Sequence, residues 1–576
     1  MPEYLSPGVY VEEYETGSKP MEGVSTSVAG FVGMAVRGEV KGVPELVTSF
    51  ADYRRKFGGY LSDSTHGEHR YLPYSLEQFF QNGGSRCYVM RVAPLDAKAA
   101  TKTINDKIKI TAVNPGEWGD KILVSIHKSS KAKTQIIEEY PEESRYVFKS
   151  IAGFDTGDIV VFSDGTNKTY NIIKKVVGNS VEFERPFDTG VVDTNLLPTK
   201  VITTDEVSIT VRCEDIIERY SYVSLNNKTS NFILSKLSKS NLIDIELLNE
   251  DITTTSVIDQ IYGQDVEKFS FVLADGYDGS IDAVDAAIYI GEDKGPSNRT
   301  GLQAFLDNTT VSMIAIPGVT DPAVVVSLIS HCENLTSRMV ILDIPKDMIK
   351  VNEIVDYRSM FDSNYAAMYH PWIQIYDMLE KRPIYVPPSG AMAGIYARSD
   401  IQRGVHKAPA NETVHCTGLS CLYNKGEQDI LNPAGVNLLR AFSGQGIKVW
   451  GARTCSSDTA MRYVNVRRLL IYIEESIKNN TSCAVFEPNT EVLWMRVQRT
   501  ITNFLTTLWA AGSLAGASAS EAFFVDVSRS TMSPDDIANG RLICKIGVAP
   551  TRPAEFVIFR VTQLMGNEEG GTDDQV

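Results

Sequence analysis

The chain has 576 residues, of which 43% are apolar and 22% charged, fractions typical of globular proteins. Its 56 lysines and arginines and 72 aspartates and glutamates give a net charge of −16, which argues against nucleic-acid binding because that usually needs a basic face. The N-terminus, MPEYLSPGVYVEEYE, lacks an apolar signal core, and no apolar run reaches the roughly 18 residues of a membrane helix. We therefore expect a soluble, unexported chain of two to four domains.

Residues 1–25 are predicted to form an extended N-terminal arm. Pro7 disfavours a helix, and in a strand Val9 and Val11 would share one face while Tyr10 and Glu12 share the other. A segment this short has no core of its own. We therefore expect its apolar face to be buried elsewhere, against a neighbouring subunit.

Residues 26–95 and 255–385 together predict an α/β domain. The first stretch contains the strand VAGFVGMAV, the helix YLPYSLEQFFQNGG and the strand SRCYVMRVAP. The second alternates FSFVLADG, VSMIAIPG and RMVILDIP with the helix AVVVSLISHCENL. Continuous apolar runs are typical of strands covered on both faces. We expect the two stretches to share one sheet, with the intervening residues inserted at a surface loop.

Residues 96–254 predict an inserted, β-rich, sandwich-like domain. Apolar and polar side chains alternate along residues 207–213, as in a strand with one buried face. Turn signals at Asp164-Gly165 and Gly178-Asn179 indicate a smaller β subdomain nested at about 145–200.

Residues 386–563 predict an α+β C-terminal domain dominated by two amphipathic helices, in which apolar residues recur at steps of three and four. They are Val466, Leu470, Ile473 and Ile477 in the first helix, and Leu493, Val497, Ile501, Phe504 and Leu508 in the second. Asn489 or Thr490 is the predicted cap of the second helix. A strand, EFVIFRVTQ, and a flexible acidic tail at 564–576 follow. The fold class is therefore α/β and multidomain.

Few residues suggest chemistry. The sequence contains no GxxxxGK[ST], HExxH or GxSxG motif. Asp275 and Asp343 end predicted strands, where α/β enzymes often place catalytic groups. A cytosolic α/β enzyme that uses these strand-end carboxylates is therefore kept as an alternative.

No metal or cofactor site is predicted. One set of ligand-type residues lies within a short stretch, but its spacing matches no zinc template; its members are His406, His415, Cys416 and Cys421. We expect loop residues and a buried thiol there. The eight cysteines include no CxxC pair, as expected for the reduced thiols of a cytoplasmic protein.

Three arginines, Arg462, Arg467 and Arg468, are predicted on the polar side of the first long helix. A solvated face is the favoured interpretation, and intersubunit ion pairs are the alternative.

Several segments in a fixed order resemble a known family. They are SPGVYVEE at 6–13, PPSGAMAGIYARSDIQRGVHKAPAN at 387–411, NPAGVNLLRAFSGQGIKVWGART at 432–454, YVNVRRLLIYIEESI at 463–477 and VFEPNTEVLW at 485–494. Together they resemble the core of contractile tail sheath proteins, which occur in phage tails and phage-derived contractile injection systems. The likeness is strongest over residues 363–562 and weakest in the β-rich insertion.

The resemblance implies a structural subunit, not an enzyme. Such proteins form stacked hexameric rings in a helical polymer around a tail tube, and contraction drives the tube through a target envelope. The implied partners are further copies of the chain, the tail tube protein, and the baseplate and tail terminator proteins. It implies no cofactor, no nucleic acid and no membrane insertion. The implied location is the tail of a virion or phage-like particle that assembles in the host bacterial cytoplasm.

The resemblance also implies that terminal strands are exchanged between subunits. The N-terminal linking residues would be Gly8, Val9, Tyr10, Val11, Glu12, Glu13 and Tyr14. The C-terminal linking residues would be Phe556, Val557, Ile558, Phe559, Arg560, Val561 and Thr562. A type VI secretion sheath is a related alternative, but that sheath is split across two chains, whereas this chain carries a complete sheath core.

Overall fold

The computed structural model describes residues 21–163, 168–187, 201–249, 251, 253 and 255–556. The predicted linking residues 8–14 and 557–562, and the predicted tail at 564–576, lie outside the described residues.

The strands follow in chain order. They are β1 (Ala29–Met34), β2 (Glu45–Val47), β3 (Cys87–Val92), β4 (Thr101–Ile104), β5 (Ile108–Ala112), β6 (Leu123–Ser129), β7 (Lys133–Tyr140), β8 (Arg145–Phe148), β9 (Ile159–Ser163), β10 (Lys168–Val177), β11 (Ser180–Phe183), β12 (Val201–Thr204), β13 (Glu206–Cys213), β14 (Ile216–Val223), β15 (Ile243–Leu247), β16 (Lys268–Val272), β17 (Met313–Ala315), β18 (Met339–Asp343), β19 (Ala366–His370), β20 (Ile373–Asp377), β21 (Arg382–Val386), β22 (Gly418–Leu419), β23 (Val436–Phe442), β24 (Gly446–Val449), β25 (Phe523–Asp526) and β26 (Lys545–Val548).

The α-helices are α1 (Phe50–Phe57), α2 (Asp63–His66), α3 (Tyr71–Gln81), α4 (Ile233–Leu237), α5 (Val257–Tyr262), α6 (Ala286–Ile290), α7 (Pro322–Leu335), α8 (Val351–Ser359), α9 (Ser389–Arg403), α10 (Lys425–Leu431), α11 (Val464–Asn480), α12 (Glu491–Ala510), α13 (Ala519–Ala522) and α14 (Pro534–Ala538).

An eight-stranded sheet forms the largest layer of the mixed α/β fold. Its order is β2-β3-β1-β17-β18-β19-β23-β24, and the inner strands run parallel. Side chains of β1 alternate between two cores: Phe31 packs with α3 and α9, and Val32 packs with α7 and α8. Both faces are therefore covered, which explains the unbroken apolar runs of these strands.

The glycines of the SGAMAGIYARSD stretch, residues 389–400, allow α9 to pack closely against α3. A Cβ atom on Gly390 would lie 2.2 Å from the backbone oxygen of Ser75, and one on Gly394 would lie 2.4 Å from that of Phe79. Any larger side chain at either position would force the two helices apart.

The observed sheets cross two of the predicted domain boundaries. Strands β23 and β24 continue the main sheet beyond the boundary predicted at residue 386, because the apolar β23 pairs in parallel with β19. Strand β16 pairs with β6 of the β-rich part, although its sequence is assigned above to the α/β domain. In both cases the sheet to which a strand belongs depends on a pairing partner that is distant in sequence. The local pattern of apolar and polar residues does not identify that partner.

The β-rich part contains a three-stranded sheet, β15-β5-β4, a four-stranded sheet, β14-β13-β6-β16, and a small closed barrel, β10-β11-β8-β7-β12-β9. The two sheets share one apolar core, and the barrel is filled by a separate core rich in phenylalanine. The barrel occupies the stretch in which the turn signals indicate a nested β subdomain.

Helices α11 and α12 pack with the two-stranded sheet β25-β26 around a further core. On α12, Leu493, Val497, Ile501 and Phe504 are buried, in agreement with the predicted apolar face, and Thr490 is the N-cap residue. Within the described ranges, no helix has the length and apolar character that crossing a bilayer requires.

Candidate assembly site on helix α11

One face of α11 holds the beginning of the described chain. Its side chains Arg468, Tyr472, Ser476 and Asn480 are spaced four residues apart and so lie above one another. The Asn480 amide exchanges two hydrogen bonds with the backbone of Glu22, at 2.8 and 3.3 Å. Most of the length of the helix therefore takes part in holding the base of the N-terminal arm.

Two further contacts continue this row. The backbone N–H of Val24 donates to Ser476 Oγ at 3.1 Å, and Arg468 Nη2 donates to the backbone oxygen of Thr26 at 2.9 Å. Between them, Gly23 lies so close to Tyr472 that an added Cβ atom would be 1.8 Å from the phenol oxygen. Residues 22–26 thus follow the helix at close range.

Arg468 also forms a buried ion pair with Asp400 of α9. The Arg468 nitrogens Nη1 and Nη2 lie 2.8 and 2.6 Å from the two Asp400 oxygens, and the guanidinium stacks over the Tyr396 ring at 4.7 Å. Burial alone would lower the pKa of Arg468, but Asp400 raises it above its ordinary value. Thr26 donates to Asp400 as well, at 2.7 Å, so the arm, α9 and α11 are joined at one point.

The prediction of a solvated face is wrong for Arg467 and Arg468, which are both buried. Arg467 pairs with Glu474 at 2.8 Å and stacks over the Tyr365 ring at 4.6 Å. Each guanidinium pairs with a carboxylate of the same chain, Glu474 on the same helix for Arg467 and Asp400 of α9 for Arg468, and Arg467 Nε is buried without a hydrogen-bond partner. Arg462 is half-buried and forms no ion pair with a described residue, so an intersubunit ion pair remains a prediction for it.

The C-terminal segment is anchored near the first turn of the same helix. Glu555 accepts hydrogen bonds from Arg453 Nε and Nη2 at 2.9 and 2.7 Å, from Asn432 at 2.7 Å and from the Tyr463 hydroxyl at 3.0 Å. Burial alone would raise the pKa of Glu555, but these donors, led by Arg453, lower it. The chain is thus fixed one residue before the predicted C-terminal linking strand begins.

Earlier residues of this segment are bound as well. Asn465 of α11 donates to the backbone oxygen of Thr551 at 3.1 Å, and Ala549 exchanges backbone hydrogen bonds with Ala515 and Ala522. Phe556, the last described residue, is 73% exposed. Helix α11 therefore binds the N-terminal segment along one face and contacts the C-terminal segment through Asn465, next to the Glu555 site.

Strands β25 and β26 form a two-stranded antiparallel sheet whose outer edges meet no further strand in the described part. Phe524 on this sheet is 59% exposed. Two-stranded sheets are marginally stable alone, and their unpaired edges readily accept another strand. This sheet is thus a candidate acceptor for strands of neighbouring subunits.

The carboxylates considered for catalysis have different surroundings. Asp343 is buried and accepts hydrogen bonds from the N–H and hydroxyl of Ser389, at 2.9 and 2.6 Å, and from the N–H of Gly318, at 3.0 Å. It caps the first turn of α9, and burial raises its pKa to about 6. Asp275 is exposed and lies in a turn with φ of 66°. The two do not form a common site.

The residues considered for metal binding take part in separate contacts. His406 Nδ1 lies 3.0 Å from Ser513 Oγ, the N–H of His415 donates to Asn82, and Cys421 Sγ lies 3.7 Å from His370 Nε2. Among the residues that the structure describes, no group of three or more such side chains is arranged to hold a metal ion.

Two consecutive family models match the chain. The phage tail sheath protein central domain matches residues 292–455, and the phage tail sheath C-terminal domain matches residues 456–563. Over residues 292–563 the chain belongs to the phage tail sheath family. This family is structural and not enzymatic, which agrees with the capping role of Asp343.

Individual relatives support the assignment. The sheath chain is 26% identical over 288 residues to a protein of Pseudomonas aeruginosa (strain UCBPP-PA14) whose name describes a prophage major tail sheath protein; the match covers 48% of this chain and 72% of the relative. It is 27% identical over 206 residues to the tail sheath protein of Escherichia phage P2, covering 34% of this chain and 51% of that protein.

The fold is shared with a solved sheath. The sheath complex of an extracellular contractile injection system, PVC, in the contracted state, aligns with a TM-score of 0.51 and 20% identity, over 98% of this chain and 99% of that one. The likeness therefore includes the β-rich part, for which the sequence resemblance is weakest. The solved structure and the relatives are sheath proteins of contractile injection systems and phage tails.

Sequence reasoning found α11 but missed what it binds. Asp400, Ser476, Asn480 and Glu555 each anchor a terminal segment, and none was singled out from the sequence. The recurrence of polar residues at 468, 476 and 480 is the one local signal that indicates a second contact face on this helix.

Proposed function

We propose that this chain polymerises as stacked hexameric rings around a tail tube, and that shortening of the polymer drives the tube through a target envelope. The observation that carries this proposal is that both terminal segments are held at α11 or beside its first turn: residues 22–26, which follow the predicted linking residues 8–14 in the chain, lie along the helix, and Glu555, one residue before the C-terminal linking residues, is bound next to the start of the helix. A linking strand transmits force between subunits only if its base is held by its own subunit. The Asn480, Arg468 and Glu555 contacts supply that hold.

The linking strands in this proposal are residues 8–14 and 556–562, which add to β25-β26 of neighbouring subunits. Strand addition uses backbone hydrogen bonds and therefore maintains connectivity while whole subunits rotate. Each bond contributes roughly 0.5–1.5 kcal/mol net, so an arm with five bonds contributes a few kcal/mol. That is modest for one subunit and large when it is repeated along a polymer.

The proposal assigns partners to the other parts of the chain. The C-terminal part lies inward against the tail tube protein, and the β-rich part lies outward. The ends of the polymer contact baseplate and tail terminator proteins, in a virion tail or phage-like particle assembled in the host cytoplasm. Since the β-rich part takes no part in linking, a chain that lacks it should still polymerise.

Negative-stain electron microscopy tests the linkage. We expect hollow striated tubes from the full chain, and none from a chain that lacks residues 1–14. A sharper variant is Val11→Pro with Glu12→Pro, which removes backbone donors from both sides of the arm. Its matched control, Val11→Thr with Glu12→Gln, keeps the donors and the strand-forming tendency.

The outcomes separate strand addition from side-chain contacts. Tubes from the control but not from the proline variant support linkage through the backbone of the arm. Equal assembly by both variants would show that the arm does not link subunits by strand addition. Should the full chain give no tubes, the same comparison is made with the cognate tail tube protein co-expressed as template.

A further inference from the structure

Four large apolar side chains are exposed in the loop between α11 and α12 and at the start of α12. Val485 and Phe486 of the loop are 62% and 104% exposed, and Val492 and Met495 of α12 are 63% and 61% exposed. We call these four residues the aromatic knob. No described residue covers Phe486, and large exposed apolar patches mark interaction surfaces.

The backbone at Phe486 is strained, with φ of 67°, a conformation that bulky residues rarely adopt. The loop is nevertheless held firmly. Trp494 Nε1 donates to Asn489 Oδ1 at 2.6 Å, and Asn489 Nδ2 donates to the backbone oxygen of Arg541 at 3.1 Å. Strain maintained by surrounding structure is characteristic of functional sites. Here it directs the Phe486 side chain into solvent from a loop whose backbone is held next to it, and a held backbone lowers the entropy cost of docking.

A cavity of about 810 Å³ lies where the β23-β24 hairpin meets the C-terminal segment. Four aromatic side chains contribute to its wall, together with polar and charged residues: Phe442, Trp450, Tyr463 and Phe556. The Phe442 and Trp450 rings are tilted, with centroids 4.6 Å apart. We call this cavity the aromatic socket. Its volume accommodates a whole loop tip, and tilted rings favour edge-to-face contact with an incoming ring.

The knob and the socket lie at opposite ends of α11. Tyr463 of the socket directly precedes the helix, and the knob begins five residues after the helix ends at Asn480. A helix of 17 residues is about 25 Å long at 1.5 Å per residue. The knob of one chain therefore does not reach its own socket, and an occupant with the chemistry of the knob has to come from a second copy of the chain.

The unpaired charges at the two surfaces are opposite in net sign. Glu487 follows Phe486 at the tip of the loop and is exposed. The socket is lined by two cations, Lys425 and Arg440, and by two carboxylates, Asp429 and Glu555, of which Glu555 is paired with Arg453. Within the described ranges Glu487, Lys425, Arg440 and Asp429 form no ion pair, so two unpaired cations in the socket stand against one unpaired carboxylate. Docking of the tip would place the Glu487 carboxylate close to the two cations.

We propose that the aromatic knob of one subunit inserts into the aromatic socket of a second copy of this chain. The contact is head-to-tail, and such contacts generate rings or helical polymers according to whether the rotation closes. It rests on the proposed function, in which copies of the chain assemble. It differs from strand exchange because side chains form it, and because Phe556 is the one predicted linking residue that it uses.

Cysteine crosslinking tests the contact directly. Phe486→Cys and Trp450→Cys are introduced on separate full-length chains that also carry Cys483→Ser, since Cys483 is a free and exposed thiol close to the knob. Because each variant lacks one aromatic side chain of the contact, the two chains are mixed above the raised critical concentration expected for such variants and are treated with a short bismaleimide. We expect a crosslinked dimer joining positions 486 and 450, identified by mass spectrometry, in the mixture and not in either chain alone.

The matched control replaces Phe486→Cys by Val177→Cys, because Val177 of the barrel is 60% exposed and lies on neither surface. A second measurement compares Phe486→Ala with Val177→Ala. We expect Phe486→Ala to raise the critical concentration for assembly at least about tenfold, as for an aromatic anchor at the centre of an interface. Val177→Ala should leave it unchanged.

The outcomes distinguish this contact from the proposed function. Tubes that form without a 486–450 crosslink would overturn the knob-and-socket contact and leave the sheath function intact. A 486–486 crosslink would identify a symmetric contact instead. A crosslink from position 486 to a co-expressed tail tube protein would assign the knob to the tube. Absence of both tubes and crosslinks would count against the proposed function as well.

Discussion

Asp400 and Arg468 form an ion pair in which each side chain is only 4% exposed, with Oδ2 and Nη2 2.6 Å apart. The two residues belong to α9 and α11, and Thr26 is hydrogen-bonded to both of them. The pair therefore holds the base of the N-terminal arm against the C-terminal part of the fold. A sheath subunit that is pulled through its arm would transmit the load through this point.

Asp400→Ala should destabilise the subunit by about 3–5 kcal/mol, because it leaves the Arg468 guanidinium buried without its carboxylate. Chemical denaturation of the dissociated protein measures the change in the free energy of unfolding. Glu353→Ala is the control: its partner Lys350 is 77% exposed and Glu353 itself 46% exposed, so the loss should be below about 1 kcal/mol. Similar losses in the free energy of unfolding for the two variants would mean that the buried pair contributes no more to stability than an exposed pair.

Asn480→Ala should release the N-terminal segment with little effect on the rest of the subunit. The substitution removes both hydrogen bonds between the Asn480 amide and the Glu22 backbone, each worth about 0.5–1.5 kcal/mol. Hydrogen exchange at the Glu22 amide, or proteolysis near residue 22, should become faster. The control Asn479→Ala changes the exposed neighbour and should leave the rates of hydrogen exchange and of proteolysis unaltered. If the two variants accelerate these rates equally, the Asn480 side chain does not hold the arm.

Elements with a strong local pattern are those that the sequence predicts well. The apolar run that contains β1 is buried on both faces, and Leu493, Val497, Ile501 and Phe504 are buried on α12. In each case the period of the apolar residues alone defines the element and its buried side. The likeness of the C-terminal segments to tail sheaths is equally local, because it depends on motifs in a fixed order.

Contacts between distant segments were not predictable in this way. Arg468 is polar and shares a helix with exposed residues, so a local pattern places it in solvent, yet its partners are Asp400 and Thr26, 68 and 442 residues away. Glu555 likewise reads as the first residue of a strand, while in the fold it anchors the segment to Arg453. The inclusion of β23 in the main sheet and of β16 in the β-rich part likewise depends on pairing partners that are distant in sequence, β19 and β6.

Asp343→Asn should flatten the pH dependence of stability between about pH 4 and pH 6. Burial raises the pKa of the folded carboxyl from 3.8 to about 6, so over this range the folded state holds a proton that the unfolded state has lost. Stability therefore falls as pH rises, by about 3 kcal/mol for this one group. The asparagine variant lacks that ionisation and loses the contribution.

The measurement is the free energy of unfolding across this pH range for the wild-type chain, Asp343→Asn and the control Asp275→Asn. Asp275 is exposed, and asparagine tolerates its left-handed backbone conformation, so the control should follow the wild-type curve. If Asp343→Asn has the same slope as the wild type, the buried carboxyl does not titrate in this window.

Glu555→Ala should free the C-terminal segment and weaken assembly while leaving the N-terminal anchor in place. Arg453 is 8% exposed, so loss of its bidentate partner leaves a nearly buried cation unpaired, at a cost of roughly 3 kcal/mol. Because the pKa of Glu555 is lowered, its stabilising effect is present above the ordinary carboxyl pKa and is lost as pH falls through the folded value.

Proteolysis after residue 548 measures the release of the C-terminal segment in Glu555→Ala, and tube formation measures the effect on assembly. Arg552→Ala, at an exposed position of the same segment, is the control. Normal tubes from Glu555→Ala would mean that the C-terminal strand links subunits without being held at its base.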